Sequence, residues 1–139
     1  MEFGLAFTAL LSAGKVGASV FNIAQKVNSI RINPGKQEEV LFYLSHALET
    51  LPRPMIACAE LAKRYATHDM VQPALLLAKK TMQQCNQFAD KMDMEDLTRE
   101  APTNMAAYVS SITNEMETLL SRISLTINAL NLALSTVIA

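Results

Sequence analysis

Apolar positions recur along almost the whole chain at intervals of three and four, the pattern of helices that each bury one stripe. The clearest run follows Pro102. Its members are Met105, Val109, Ile112, Met116, Leu119, Ile123, Ile127, Leu130, Leu134 and Val137, a heptad with one stutter where two four-residue steps meet at Ile123. From Ile123 to Ala139 there is no charged residue, so this end of the helix is expected to be covered by partners. Thr103 or Asn104 is the expected N-cap.

Three further stripes precede it. Val40, Leu41, Leu44, Ala47, Leu48 and Leu51 form one face of a helix with Glu38 and Glu39 near its N-terminus, where negative charge is favoured. Pro52-Arg53-Pro54 then makes a corner or kink, and Met55, Cys58, Leu61, Ala62 and Tyr65 carry a shorter stripe ending near His68. Asp69 with Gln72 resembles a capping box, and Pro73 is tolerated only in a first turn. The pattern resumes at Ala74, Ala78, Met82, Cys85, Ala89 and Met92. It reads equally as two helices or as one kinked at His68–Pro73. Asp93 to Pro102 is the longest expected loop.

The N-terminal stretch Phe3 to Gln25 has a single charge, Lys15, and as a helix is about 35 Å long, the span of a bilayer's hydrocarbon core. Phe3, Phe7, Leu10, Val20, Phe21, Ala24 and Val27 give it a preferred face. Ala9, Ala13 and Gly17 recur every four residues with Gly14 and Ala18 alongside, and small residues so spaced let another helix approach closely. Asn33-Pro34-Gly35 ends the helix. Short connections of this kind imply antiparallel neighbours. The expected fold is all-α, an antiparallel bundle of four to five helices. Residues 104–138 form the longest, and the glycine- and alanine-rich first helix lies against it.

Composition agrees with a single helical domain: 139 residues, half of them hydrophobic, 18% charged, with four glycines and five prolines. The net charge of −1 alternates along the chain, from +3 over residues 1–36 to −4 over 92–139. With no dense basic stripe interleaved with aromatics, nucleic acid is not an expected partner. Cys58 and Cys85 lie in apolar helical patterns and read as buried thiols of an intracellular protein, a bridge between neighbouring helices being the alternative. The residues before the apolar run are Met-Glu, acidic where a secretory signal is basic.

Little chemistry is encoded. His46 and Glu49 have a chelating i, i+3 spacing, but no matching Glu and Glu-x-x-His motifs accompany them, so a metal is not expected. His68 beside Asp69 lacks a nucleophile, and there is no nucleophile elbow, P-loop or dinucleotide fingerprint. No cofactor and no enzymatic activity are expected. Lys63-Arg64, Lys79-Lys80 and the group Lys26, Arg31 and Lys36 read either as solvated helix surface or as contacts to anionic lipid headgroups. The eight methionines fall mostly on core stripes as gap-filling residues.

The opening MEFGLAFTALLSAGKVGASVFNIAQKV, followed by a short turn and amphipathic helices to the end, resembles the HeLo and HeLo-like domains. These stand at the N-terminus of fungal cell-death and heterokaryon-incompatibility proteins and fungal NOD-like receptors. The four-helix domain of the mixed-lineage-kinase-domain-like necroptosis executioner is a more distant relative. The resemblance implies a bundle that permeabilises membranes when a C-terminal signalling or amyloid-forming region brings copies together. The N-terminal helix is then the inserting element, with Phe3, Leu5, Phe7, Leu10, Leu11, Val16, Val20 and Phe21 at the inserting positions. It also implies a cytoplasmic protein that moves to the plasma membrane on activation, with lipids, further copies and a signalling protein as partners. The chain departs from the family in carrying no C-terminal regulatory region, which reads either as an isolated domain or as a piece of a longer protein. It also lacks the dense basic cluster the necroptosis executioner uses for phospholipids. The competing expectation is a soluble helical adaptor whose first helix is ordinary core.

Overall fold

A computed structural model of the chain describes the backbone of residues 2–64, 70–94 and 105–138, and side chains for 16–64, 70–92 and 105–136. Within those residues the protein is all-helical. Its helices are α1 (Glu2–Ser29), α2 (Pro34–Thr50), α3 (Pro52–Arg64), α4 (Val71–Met94) and α5 (Met105–Ile138). The expectations on His68, Asp69, the loop from Glu95 onward, and the caps Thr103 and Asn104 lie outside the described residues. Asp93 and Met94, expected in that loop, belong to the last turn of α4. Pro73 is the third residue of α4, where its missing N–H has no intrahelical partner to lose. Between Met55 and Met92 there are two described helices, and α3 and α4 pack against each other.

Proline also shapes the joint between α2 and α3. Leu51 keeps helical angles (φ −57°, ψ −41°), its N–H reaches Ala47 O at 3.0 Å, and Met55 N–H reaches Leu51 O at 3.4 Å. The chain therefore stays helical through the corner while Pro52 and Pro54 each remove a donor from the ladder. The expected corner falls where those two bonds are missing, between α2 and α3.

Packing places α1, α2, α5 and α4 at successive corners. α1 borders α4 most broadly, and α5 borders α4 and α2. Among the described residues α2 and α4 do not touch, and α1 meets α5 only narrowly. α3 contacts every other helix, so beyond the two prolines it carries the chain from the α2 corner across to α4. The expectation that the first helix lies against the last is met only by that narrow contact. They sit on a diagonal, and the broad partner of α1 is α4.

The core stripe of α5 differs from the sequence pattern in an instructive way. The buried seam runs Val109, Ile112, Met116, Leu119, Ile123, Thr126, Leu130 and Ala133, an unbroken alternation of three and four, with buried Thr113 beside it donating to Val109 O at 2.8 Å. There is no stutter, because Thr126 takes the seam position and Ile127 is displaced to the flank. The Thr126 hydroxyl lies 2.6 Å from that of Thr81 on α4 and 2.8 Å from Arg122 O. Each buried hydroxyl is thereby satisfied.

A second buried polar group closes the joint between α1 and α2. Pro34 is the first residue of α2 rather than only the end of α1, and Asn33 makes no side-chain cap. Gln37 does that work. Its Oε1 accepts from Ile32 N at 3.0 Å and Asn33 N at 2.8 Å, and its Nε2 donates to Val27 O at 3.0 Å and Ile30 O at 2.7 Å. The amide's two donors and its acceptor are all engaged, and they gather the end of α1 and the start of α2 onto one side chain.

Replacing Gln37 with the near-isosteric Met leaves these turn groups unmet and is expected to cost about 2–4 kcal/mol in urea unfolding. Thr126→Val strands the Thr81 hydroxyl and is expected to cost about 1–2 kcal/mol, whereas the Thr81→Val, Thr126→Val pair removes the need for a bond and recovers most of it. A pair that loses the sum of two independent single costs contradicts the coupling.

Candidate functional site

The sequence singles out α1, so the candidate site is built from it. Its described half presents Val20, Ile23, Ala24 and Val27 to the core, all buried, with Val16 partly buried beside them. Ile23 was not evident in the sequence stripe, whereas Phe21, which was, is only partly buried. Of the residues at the expected inserting positions, Val16, Val20 and Phe21 are described, and Val20 is wholly buried. The side chains of Phe3, Leu5, Phe7, Leu10 and Leu11 lie outside the described residues, as do those of Ala9, Ala13, Gly14 and Lys15.

Gly17 is described, and its neighbour is specific. A Cβ placed on Gly17 would meet Leu48 Cβ and Cδ2 on α2, each at 4.0 Å, which is ordinary contact. The nearest atoms are thus side-chain atoms rather than an approaching backbone. An alanine fits this space, and a leucine must displace Leu48.

The basic residues singled out in the sequence belong to different elements. Lys26, Arg31 and Lys36 surround the turn between α1 and α2, Lys63 and Arg64 end α3, and Lys79 and Lys80 lie in the body of α4. Arg31 pairs with Glu38 at 2.6 Å, and Lys36 pairs with Glu117 at 2.9 Å and Asn114 Oδ1 at 3.4 Å. A lipid headgroup at this turn must compete with those carboxylates. Among the described residues no helix is long and apolar enough to cross a membrane.

His46 and Glu49 are both exposed on α2, and among the described residues no three His, Cys, Asp or Glu side chains gather to hold a metal. His46 instead lines a groove of about 310 Å³ between α2 and α5, with Tyr43, Thr50, Leu120 and Ile127. Phe42 and Tyr43 beside it are exposed and meet edge to face, ring centres 5.3 Å apart. These aromatics went unremarked in the sequence because they sit off the core stripe of α2.

Cys58 and Cys85 are both free buried thiols, Cys58 lying 3.5 Å from Leu130 O. Burial disfavours the thiolate and pushes both from 9.0 up to about 11. Neither is a nucleophile at neutral pH. Comparison with protein-family models, with curated proteins and with solved structures finds no match.

The thiols set an alkaline limit. Above pH 9 the unfolded chain releases two protons that the folded chain retains, so stability falls as pH rises from 9 towards 11 and flattens beyond. Urea midpoints measured across that range are expected to drop for the native protein, and to drop less for a Cys58→Ala, Cys85→Ala variant.

Proposed function

We propose that the chain is a HeLo-like membrane-permeabilising domain, in which α1 leaves the bundle and enters a bilayer as copies come together. The observation that carries this reading is α1 itself. It is 28 residues long with only Glu2, Lys15 and Lys26 charged, and among the described residues it packs by an apolar face and is tied at its end by the Gln37 amide. Burying Val20, Ile23 and Val27 contributes roughly 1.5–3 kcal/mol each. A bilayer keeps the same side chains from water, so the exchange sits within a few kcal/mol of balance. Lys15 is the obstacle, costing about 2.5–3.5 kcal/mol at a membrane centre. An assembly of several α1 helices avoids most of that cost by turning Lys15 to a wet inner face, with Gly14 and Gly17 allowing close packing.

The same reading takes the bundle as antiparallel between helices consecutive in the chain. Support comes from paired residues: Thr81 with Thr126 and Lys91 with Glu115 on α4 and α5, and Gly17 near Leu48 with Val27 near Gln37 on α1 and α2. In each pair of helices one number rises as the other falls. The proposed setting is the cytoplasm, with relocation to an anionic plasma-membrane surface when a signalling partner clusters the domain. An adaptor function is the second reading, favoured by the exposed Phe42, Tyr43, Leu125 and Leu132.

Dye release from vesicles separates the two. The folded protein is expected to release dye, more from vesicles containing anionic lipid, and Leu10→Glu is expected to abolish release. No release at any concentration up to saturation favours the adaptor, and full release by a folded Leu10→Glu variant removes α1 from the mechanism.

A further inference from the structure

The outward face of α5 is unlike an ordinary exposed helix surface. Leu125 and Leu132 stand in its middle, 62% and 58% exposed, one heptad apart. Ser121, Asn128 and Ser135, also exposed, complete the alternating spacing of four and three residues. This is a second seam, on the opposite side of the helix from Ile123, Thr126 and Leu130. Beyond Arg122 nothing on α5 is charged.

Three hydroxyls along this face are already bonded within the helix. Thr118 Oγ1 donates to Asn114 O at 3.1 Å, Ser135 Oγ to Asn131 O at 3.0 Å, and Thr136 Oγ1 to Leu132 O at 2.9 Å. Removing water from them strands no donor. Asn128 is different, since its amide needs both a donor and an acceptor opposite it. Hydrocarbon offers neither. A second Asn128 offers both.

We propose that this face is a self-association surface, pairing α5 with α5 of a second copy about a two-fold axis near Asn128. A two-fold interface sets a surface against itself, so a charged face repels its own copy and an uncharged one does not. The absence of charge and the self-complementary amide both fit a second copy. Thr118 to Thr136 spans about 27–29 Å, and one helix pair of that length buries less than the roughly 800 Å² per partner of a standard stable interface. The dimer is therefore weak and concentration-dependent. The groove by Tyr43, Thr50 and Ile127 borders the face and extends the area open to the partner. None of this rests on membrane activity.

Analytical ultracentrifugation of the full chain from micromolar to millimolar concentration tests the proposal. A reversible monomer–dimer equilibrium is expected. Leu125→Glu and Leu132→Glu should each raise its dissociation constant by about tenfold or more, with unchanged thermal midpoints because both side chains are exposed. Asn128→Cys should cross-link between copies under mild oxidation faster than Gln83→Cys on the exposed face of α4, the native thiols being buried. A monomer at every concentration, or equal cross-linking at both positions, overturns the proposal. So does a monomer that binds vesicles through this face and loses that binding in Leu132→Glu.

Discussion

The bundle turns on the seam of α5, the 34-residue helix that contacts all four others. Eight buried positions run along it without a break, and one of them is a threonine. A hydroxyl at that depth is tolerated only with a partner, and Thr81 supplies it from α4. Leucines at both positions would pack in more than one way. The hydroxyl pair has one good alignment, and it fixes how far α4 slides along α5. With α4 set, the broad face that α1 uses is set as well, even though α1 scarcely touches α5.

Two joints then determine where the chain goes. At Pro52 and Pro54 two donors drop out of the helical ladder, and α3, which contacts every other helix, takes the chain from α2 towards α4. At Gln37 one amide binds four backbone groups and ties the end of α1 to the start of α2. The second joint bears on the proposed function. Among the described residues α1 is held by this clamp together with the apolar face from Val16 to Val27. A clamp made of hydrogen bonds can be exchanged for water when the helix leaves, which a buried ion pair could not do as cheaply.

The helices were legible because apolar spacing reports burial directly: Val40, Leu44 and Ala47 on α2, Leu51 just after it, and Ala74, Ala78, Met82, Cys85, Ala89 and Met92 on α4 are buried as their spacing implies, with Leu41 and Leu48 partly so. Gln37, Thr81 and Thr126 were not legible, since a hydropathy pattern cannot distinguish a polar residue that finds partners from one that faces water. The stutter read at Ile123 has the same origin, since Ile127 was counted on the stripe in place of Thr126. Neighbour relations were also out of reach. α1 and α5 each carry a long apolar stripe, and such stripes match any partner, so their diagonal placement depends on the α3 crossing rather than on either stripe. For the candidate site, the sequence pointed to α1 by its length and low charge. It gave no sign that Arg31 and Lys36 are taken up by Glu38 and Glu117, because those pairings join residues far apart or across a turn.

The central claim is that α1 must leave the bundle to act, and a reversible lock tests it most directly. A Cβ on Gly17 lies 4.0 Å from Leu48 Cβ, within the roughly 3.5–4.5 Å that a disulfide requires. Gly17→Cys with Leu48→Cys should therefore bond α1 to α2 without moving either helix. The account predicts that the oxidised protein, shown to be fully bridged, releases no dye from anionic vesicles, and that reduction restores release. Equal release by the bridged and the reduced protein would contradict it.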